Sequence, residues 1–546
     1  IVLQGISSAG SVTFSGDYQA NLYLNGLGLT AADGAAINNT GGGTLTVTIG
    51  DGTANRLIDS AGSGDKAAFY SKGDLAFAGT GVLEVRGKAG HGIASKGTIT
   101  QTGGTIWVKE AVKDGINAKT VNISGGTFTA RTKGDGIQGD DAVAITGGVF
   151  EIVTTAEEVK AHGVKSDGDI VIGASGSSSS TPEMEITVYG NGSKCLSSDG
   201  DVTIASGSLT LYTAGNGYWD TESDEADKTT ACAGIKCDGD LTISGGDITM
   251  LSTGTGGKGI SVDGDITISG GNLNVTTTGE AYVYGAYDTK SKGIKSDNNI
   301  TISGGKIVIY TYTDGAEGLE CEYTLTISGG DIEIDSYDDA INASGGNNPT
   351  TGASLNQGKI IISGGAIFCN SSNNDGIDSN GTIAISGGTV ISCGTQSPEE
   401  GFDCDNNTFA ITGGTLIGLG GATSKPTTSP STQCSVEFTS ASNAAAILHI
   451  ESIDGKEALT LQLPRTYRGT LCMLFSSPAL VSGTQYAIYT DGSISGGTDF
   501  HGLYSGAAYT KGTQAGTFTA SKYTNAGGGP STAPGPGNRP GVPGRP

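Results

Sequence analysis

The sequence predicts an all-β protein: a right-handed parallel β-helix (solenoid), then a C-terminal antiparallel β region and a Gly/Pro-rich tail. Three observations predict it. A Gly-Ile step returns down the chain, as at Gly92-Ile93, Gly115-Ile116, Gly136-Ile137, Gly234-Ile235, Gly259-Ile260, Gly293-Ile294 and Gly376-Ile377. A Gly-Gly pair follows it at a drifting distance, as at Gly125-Gly126, Gly245-Gly246, Gly270-Gly271, Gly329-Gly330 and Gly413-Gly414. Between them, segments such as Leu241-Thr242-Ile243-Ser244 and Ile266-Thr267-Ile268-Ser269 alternate apolar and polar residues, the period of a half-buried strand. Constant anchors with variable loops mark a stacked repeat. Each rung buries an Ile from the Gly-Ile step and two from the strand, roughly 1.5–3 kcal/mol per side chain, and neighbours must complete it.

Taken in order, residues 1–60 carry short strands at 11–14 and 21–24 and are expected to form an irregular N-terminal cap. Residues 61–425 are the regular β-helix. Lys425-Pro426-Thr427-Thr428-Ser429-Pro430 reads as a linker. Within 426–523, strands at 434–438, 446–450, 458–463 and 486–489 are spaced like a meander or small sandwich. Residues 524–546 are Gly/Pro-rich and nearly devoid of apolar side chains, an extended tail that does not fold alone.

Glycine is 94 of 546 residues, supplying the corners between short strands. Formal charge is −25, from 55 acidic and 30 basic residues, which repels nucleic acid and anionic membranes and suits cations. No apolar run is long enough to span a bilayer. The chain begins at Ile1, as expected of a mature, processed form, and its composition suits export to an extracellular or cell-surface location. Of nine cysteines, Cys237, Cys321 and Cys404 stand where other rungs carry Ser166, Ser296 or Ser379, as small inward residues. Cys369 with Cys393, and Cys434 with Cys472, are candidate disulfides.

The position before each Gly-Ile and the position after it form two columns. Near the C-terminal end of the repeats both are acidic or amide: Glu317/Glu320, Asp339/Asn342, Asp375/Asp378 and Glu400/Asp403. A smaller copy stands at Asp114/Asn117 and Asp135/Gln138. Stacked carboxylates repel unless a cation lies between rungs. Calcium fits an all-oxygen, flexible donor set better than magnesium or zinc. Asp and Asn as turn formers are the competing reading. In the middle rungs the columns turn to Lys194, Lys258 and Lys292, and to Lys165, Lys236 and Lys295, where acids such as Asp167, Asp238 or Asp297 are expected to neutralise them.

Tyr70-Ser71-Lys72-Gly73-Asp74-Leu75, Asp114-Gly115-Ile116-Asn117, Asp135-Gly136-Ile137 and the repeated Ile-Ser-Gly-Gly resemble the bacterial carbohydrate-binding domain-containing proteins. The stretches 476–480 and 492–497 resemble that family's C-terminal part, so the likeness covers most of residues 10–520. It implies a calcium-binding right-handed β-helix with a cellulose-like or pectin-like partner. Its ligands carry over only to the acidic positions above, and the lysine rungs depart from the pattern.

Three functions compete. Aromatic side chains in the variable loops, Tyr218 and Trp219, then Tyr282, Tyr284 and Tyr287, then Tyr310 and Tyr312, suit stacking on sugar rings; an outer ladder covering the sheet is the alternative. A polysaccharide lyase needs a strong base beside calcium, yet Arg131 is the only arginine in residues 92–414. A filament subunit would use the apolar opening Ile1-Val2-Leu3 and the tail to dock on neighbouring copies as a homopolymer. The expectation is a non-catalytic, calcium-stabilised, polysaccharide-binding protein.

Overall fold

The computed structural model describes residues 1–60, 67–174, 176, 181–346, 355, 357–440 and 446–527. Among them every regular element is a strand. No helix is long and apolar enough to cross a membrane. The chain divides into two compact units, Ile1–Ser296 and Asp297–Pro546.

In the first unit, successive repeats pair in parallel along three ladders. The Gly-Ile strands make the first. Ile93 opposes Ile116, which opposes Ile137, and the line continues through Val164, Leu196, Ile235, Ile260 and Ile294. In the second ladder Val202–Ile204, Leu241–Ile243 and Ile266–Ile268 stack in register, and in the third Ser208–Thr213, Asp247–Ser252 and Asn272–Thr277 do. The N-terminal strands Val2–Ser7, Val12–Phe14 and Ala20–Thr30 pair in parallel in the same manner. Each inward column is apolar and fully buried, as at Leu241, Ile243, Ile266 and Ile268.

The Gly-Gly pair turns the chain from the second ladder to the third, and its two glycines are required for different reasons. Gly246 sits at φ 96°, a region L side chains avoid. A Cβ on Gly245 would lie 2.5 Å from the Ala205 carbonyl oxygen of the preceding rung. The glycine of the Gly-Ile step is needed for close approach as well: a Cβ on Gly115 would meet the Gly136 carbonyl oxygen at 2.5 Å.

The second unit repeats the three ladders. Leu319, Ile341, Ile377 and Phe402 stack in the first, and Lys306–Thr311, Asp331–Ser336 and Ala366–Ser371 in the third. The strand Phe409–Gly420 then pairs antiparallel with Leu471–Ser476, which in turn pairs antiparallel with Ser435–Ser440. A further six-stranded antiparallel sheet contains Ile447–Ser452, Glu457–Gln462, Gln485–Thr490 and Thr513–Thr519. This region packs on the outer face of the last rungs, where Phe368, Ile391, Ile417 and Leu419 join one core with Phe438, Tyr467 and Phe475.

All nine cysteines are free and buried. The register explains why the candidate disulfides fail. Cys369 opposes Ser392, so Cys393, one residue on, projects to the other face and joins the outer core. Cys472 opposes Thr439, five positions from Cys434. The Cys237 and Cys404 thiols donate to the turn carbonyls of Gly239 and Asn407, and burial pushes them up to about 12 and 11. These are inert packing thiols.

Candidate functional site

In the second unit the register makes the acidic columns real neighbours. Glu320 opposes Asn342, Asn342 opposes Asp378, and Asp378 opposes Asp403. The other column holds Glu317, Asp339 and Asp375 at 9%, 4% and 3% exposure, with Glu400 half-buried after them. Part of it is backbone support: Asp339 Oδ1 accepts from the Asp375 N–H at 3.0 Å, and Asp375 Oδ1 from the Glu400 N–H at 2.5 Å.

That role leaves oxygens over. Asp375, Asp378 and Asp403 each offer a carboxylate oxygen within 4.8 Å of the others'. Asn342 Oδ1 and Glu400 Oε2 are buried without accepting a hydrogen bond. Burial, then the Asp378 and Asp375 charges, push Asp339 well above the carboxylate range. Burial and then Asp403 push Glu400 up to about 9. Without a counter-charge Asp339 and Glu400 hold protons at neutral pH. A hard cation with oxygen ligands supplies the same compensation, and the donors fit calcium: carboxylates, an amide oxygen and no nitrogen or sulfur.

The smaller copy in the first unit is built differently. Asp114 receives the Asp135 N–H on Oδ1 at 2.9 Å and the Asn117 amide on Oδ2 at 3.0 Å. Asp135 Oδ1 receives the His162 N–H at 2.6 Å. The same line is carried by imidazoles at each end: the Asp114 N–H donates to His91 Nδ1 at 3.2 Å, and the Lys194 N–H to His162 Nδ1 at 3.0 Å. Aspartate Oδ1 and histidine Nδ1 lie equally far along the side chain, so either can accept from the next rung. This holds His162 neutral, and burial followed by Lys194, Lys165 and Lys160 pushes it well below its ordinary value. Burial and then Asp114 raise Asp135 to about 8. Gln138 donates to Asp167 at 3.2 Å, while its Oε1 is buried without a partner. With both Asp114 oxygens engaged, these rungs fit a metal less well than the Glu317–Asp403 stack.

The lysine rungs are neutralised internally. Lys165 pairs with Asp167 at 2.9 Å, and Lys236 with Asp238 and Asp263 at 2.5 and 2.8 Å. The buried Lys194 and Lys258 reach Thr230 Oγ1 at 3.1 Å and Thr289 Oγ1 at 2.6 Å. Those threonines belong to two short antiparallel pairs that also carry the aromatics: Tyr218–Trp219 with Thr229–Thr230, and Tyr282–Tyr284 with Tyr287–Thr289. Trp219 lies flat on Tyr284, with centroids 4.4 Å apart and planes 14° apart, and Tyr287 packs beside it at 5.5 Å. Tyr218 and Tyr282 are half-buried. In the second unit Tyr310 and Tyr312 stack on each other at 6.4 Å. Sequence reasoning missed the histidines as acceptors, the threonines that hold the lysines, and the carboxylates Glu333 and Asp335 beside Tyr310. Only the histidines carried a signal: they occupy the aspartate column.

A model of the family described as carbohydrate-binding domain-containing protein matches residues 1–281, 221–340 and 286–365. No curated protein and no solved structure matches the chain. The repeats that set the columns thus fall largely within the matched residues, and the chain belongs to the carbohydrate-binding domain-containing protein family.

Proposed function

We propose that the chain is a non-catalytic, extracellular, polysaccharide-binding protein of the cell surface, folded in its repeats as a right-handed parallel β-helix and stabilised by calcium. The observation that carries the reading is the family match running through residue 365, which covers the Trp219–Tyr284 stack and the Tyr310–Tyr312 pair. Outward-facing aromatic rings take the apolar faces of sugar rings. Calcium would sit among Glu317, Glu320, Asp339, Asn342, Asp375, Asp378, Glu400 and Asp403, replacing protons on buried carboxylates and locking rungs together. Co-sedimentation of the full chain with insoluble cellulose and with calcium-gelled polygalacturonate tests the sugar. Retention on at least one, reduced by Trp219→Ala, is expected; no retention on either, with or without calcium, rejects the reading.

A second reading, a subunit of a surface filament, draws on one observation. Val2–Ser7 pairs along a single edge among the described residues, with Ile1, Val2 and Ile6 exposed by 64%, 60% and 86%. Of the tail at 524–546 expected to dock on a neighbour, Thr524–Asn525 instead pairs with Ser435–Ser440 of its own chain, and residues 528–546 lie outside the described residues. Fibres seen by negative-stain microscopy of the purified chain would favour this reading, and single particles the first.

A further inference from the structure

We propose that the outward face of the third ladder in the Asp297–Pro546 unit is a subsite for a sugar bearing a protonated amine, as in a deacetylated hexosamine polymer. The inference rests on the reading of the chain as polysaccharide-binding and supplies what that reading lacks, a place and a charge for the ligand.

The site is assembled by register. Tyr310 opposes Asp335, which opposes Asn370, while Val308 opposes Glu333, which opposes Phe368. Glu333 and Asp335 are two residues apart on one strand and share its outward face, placing them roughly 7 Å apart along it. Burial, then the Glu333 and Asp335 charges, push the Tyr310 hydroxyl above its ordinary value. Tyr312, stacked on Tyr310 within 14° of parallel, is 58% exposed and offers a free aromatic face. On the other side the C-terminal region supplies a wall. The His501 ring lies flat on Phe368 at 4.0 Å, with its Nε2 4.0 Å from Glu333. Arg465 donates to Asn370 Oδ1 at 3.0 Å, and Asn370 Nδ2 to Asp335 Oδ1 at 2.6 Å, which orients that carboxylate.

Charge selects the ligand. Among the described residues no lysine or arginine pairs with Glu333 or Asp335, whereas the acids of the lysine rungs are paired. Both residues are half-buried, Glu333 with a third of its side chain exposed. A uronic acid brought here meets like charge. A neutral sugar covers two carboxylates without compensating them. An ammonium group pairs with them while the ring lies on Tyr312, where aromatic contact and cation–π attraction add. The net charge of −25 favours such a polymer at long range.

Calorimetric titration of the full chain with a glucosamine hexamer, its fully N-acetylated form, a neutral glucan hexamer and hexalysine tests this. Saturable binding of the amino hexamer is expected, weakened at least about tenfold by Glu333→Gln with Asp335→Asn and about fivefold by Tyr312→Ala, with weak binding of the acetylated form. Equal affinity for the acetylated hexamer, full binding by the double variant, or equally variant-sensitive binding of hexalysine overturns the proposal. Binding of the neutral glucan but not the amino hexamer removes the subsite alone; binding of no glycan by the parent removes the polysaccharide reading with it.

Discussion

The rungs around residues 194–295 and those around 317–403 place charge at the same two positions beside the Gly-Ile step, and resolve it in opposite ways. In the first, buried and half-buried ammonium groups are answered by the protein's own Asp238, Asp263, Thr230 and Thr289. In the second, carboxylates crowd one another, and Asn342 and Glu400 keep oxygens with no donor. The backbone is the same; the difference is whether the chain completes the site itself. A region that supplies its own counter-charge is structural, while crowded carboxylates with orphaned oxygens on Asn342 and Glu400 are where we propose an external ion.

The largest expected effect comes from supplying that ion. Calcium at about a hundred times its dissociation constant stabilises the native state by about 2.7 kcal/mol, so calorimetric scans should show a higher melting temperature with calcium than with chelator. Asp375→Asn with Asp378→Asn should abolish the difference. Magnesium should act more weakly, because it demands a tighter octahedron. An unchanged calcium response in the double variant would mean that the acidic stack is not the binding site.

A next, smaller effect separates the regions by pH. Glu400, at about 9 in the folded chain against 4.5, binds a proton that the unfolded chain has released between those values. Its contribution is therefore fully present below pH 4.5 and lost as pH rises through 9, with Asp339 acting in the same direction. Calcium should cancel this loss. His162 runs the other way. Its folded value is depressed below 6.5, so its contribution is present above pH 6.5 and lost as pH falls below it. His162→Asn keeps an acceptor for the Lys194 N–H and removes the titration. Its melting temperature should gain on the parent's progressively as pH drops from 7 to 5.

The columns were legible in the sequence because a strand's side chains alternate with period two and the Gly-Ile step resets that phase at every rung. Once Ile341 and Ile377 are aligned, Asn342 and Asp378 have to be neighbours, and they are. His91 and His162 stood in the aspartate column in plain view, but their role follows from atom positions along the side chain rather than from residue class. The docking of the C-terminal region also left a trace. Ile367-Phe368-Cys369 and Leu416-Ile417 are apolar at consecutive positions, as strands buried on both faces are. Glu333, Phe368 and His501 had no such trace, because their meeting depends on how a distant turn seats against the third ladder.

The smallest effect is also the most pointed. Lys194 is buried and pushed down to about 8, chiefly by burial, so the folded chain carries an unfavourable charge at pH 7 in exchange for one bond to Thr230. Lys194→Met retains the length and apolar stem while removing both the charge and the hydrogen bond. These nearly offset, and stability should change by less than about 1 kcal/mol in denaturant melts. Asp375→Leu deletes the acceptor for the Glu400 N–H as well as a proposed ion ligand, and should cost about 2 kcal/mol in the presence of calcium. If Lys194→Met proved equally costly, the lysine column would be as dependent on its charge as the acidic one. The distinction between a completed site and an open one would then have to be abandoned.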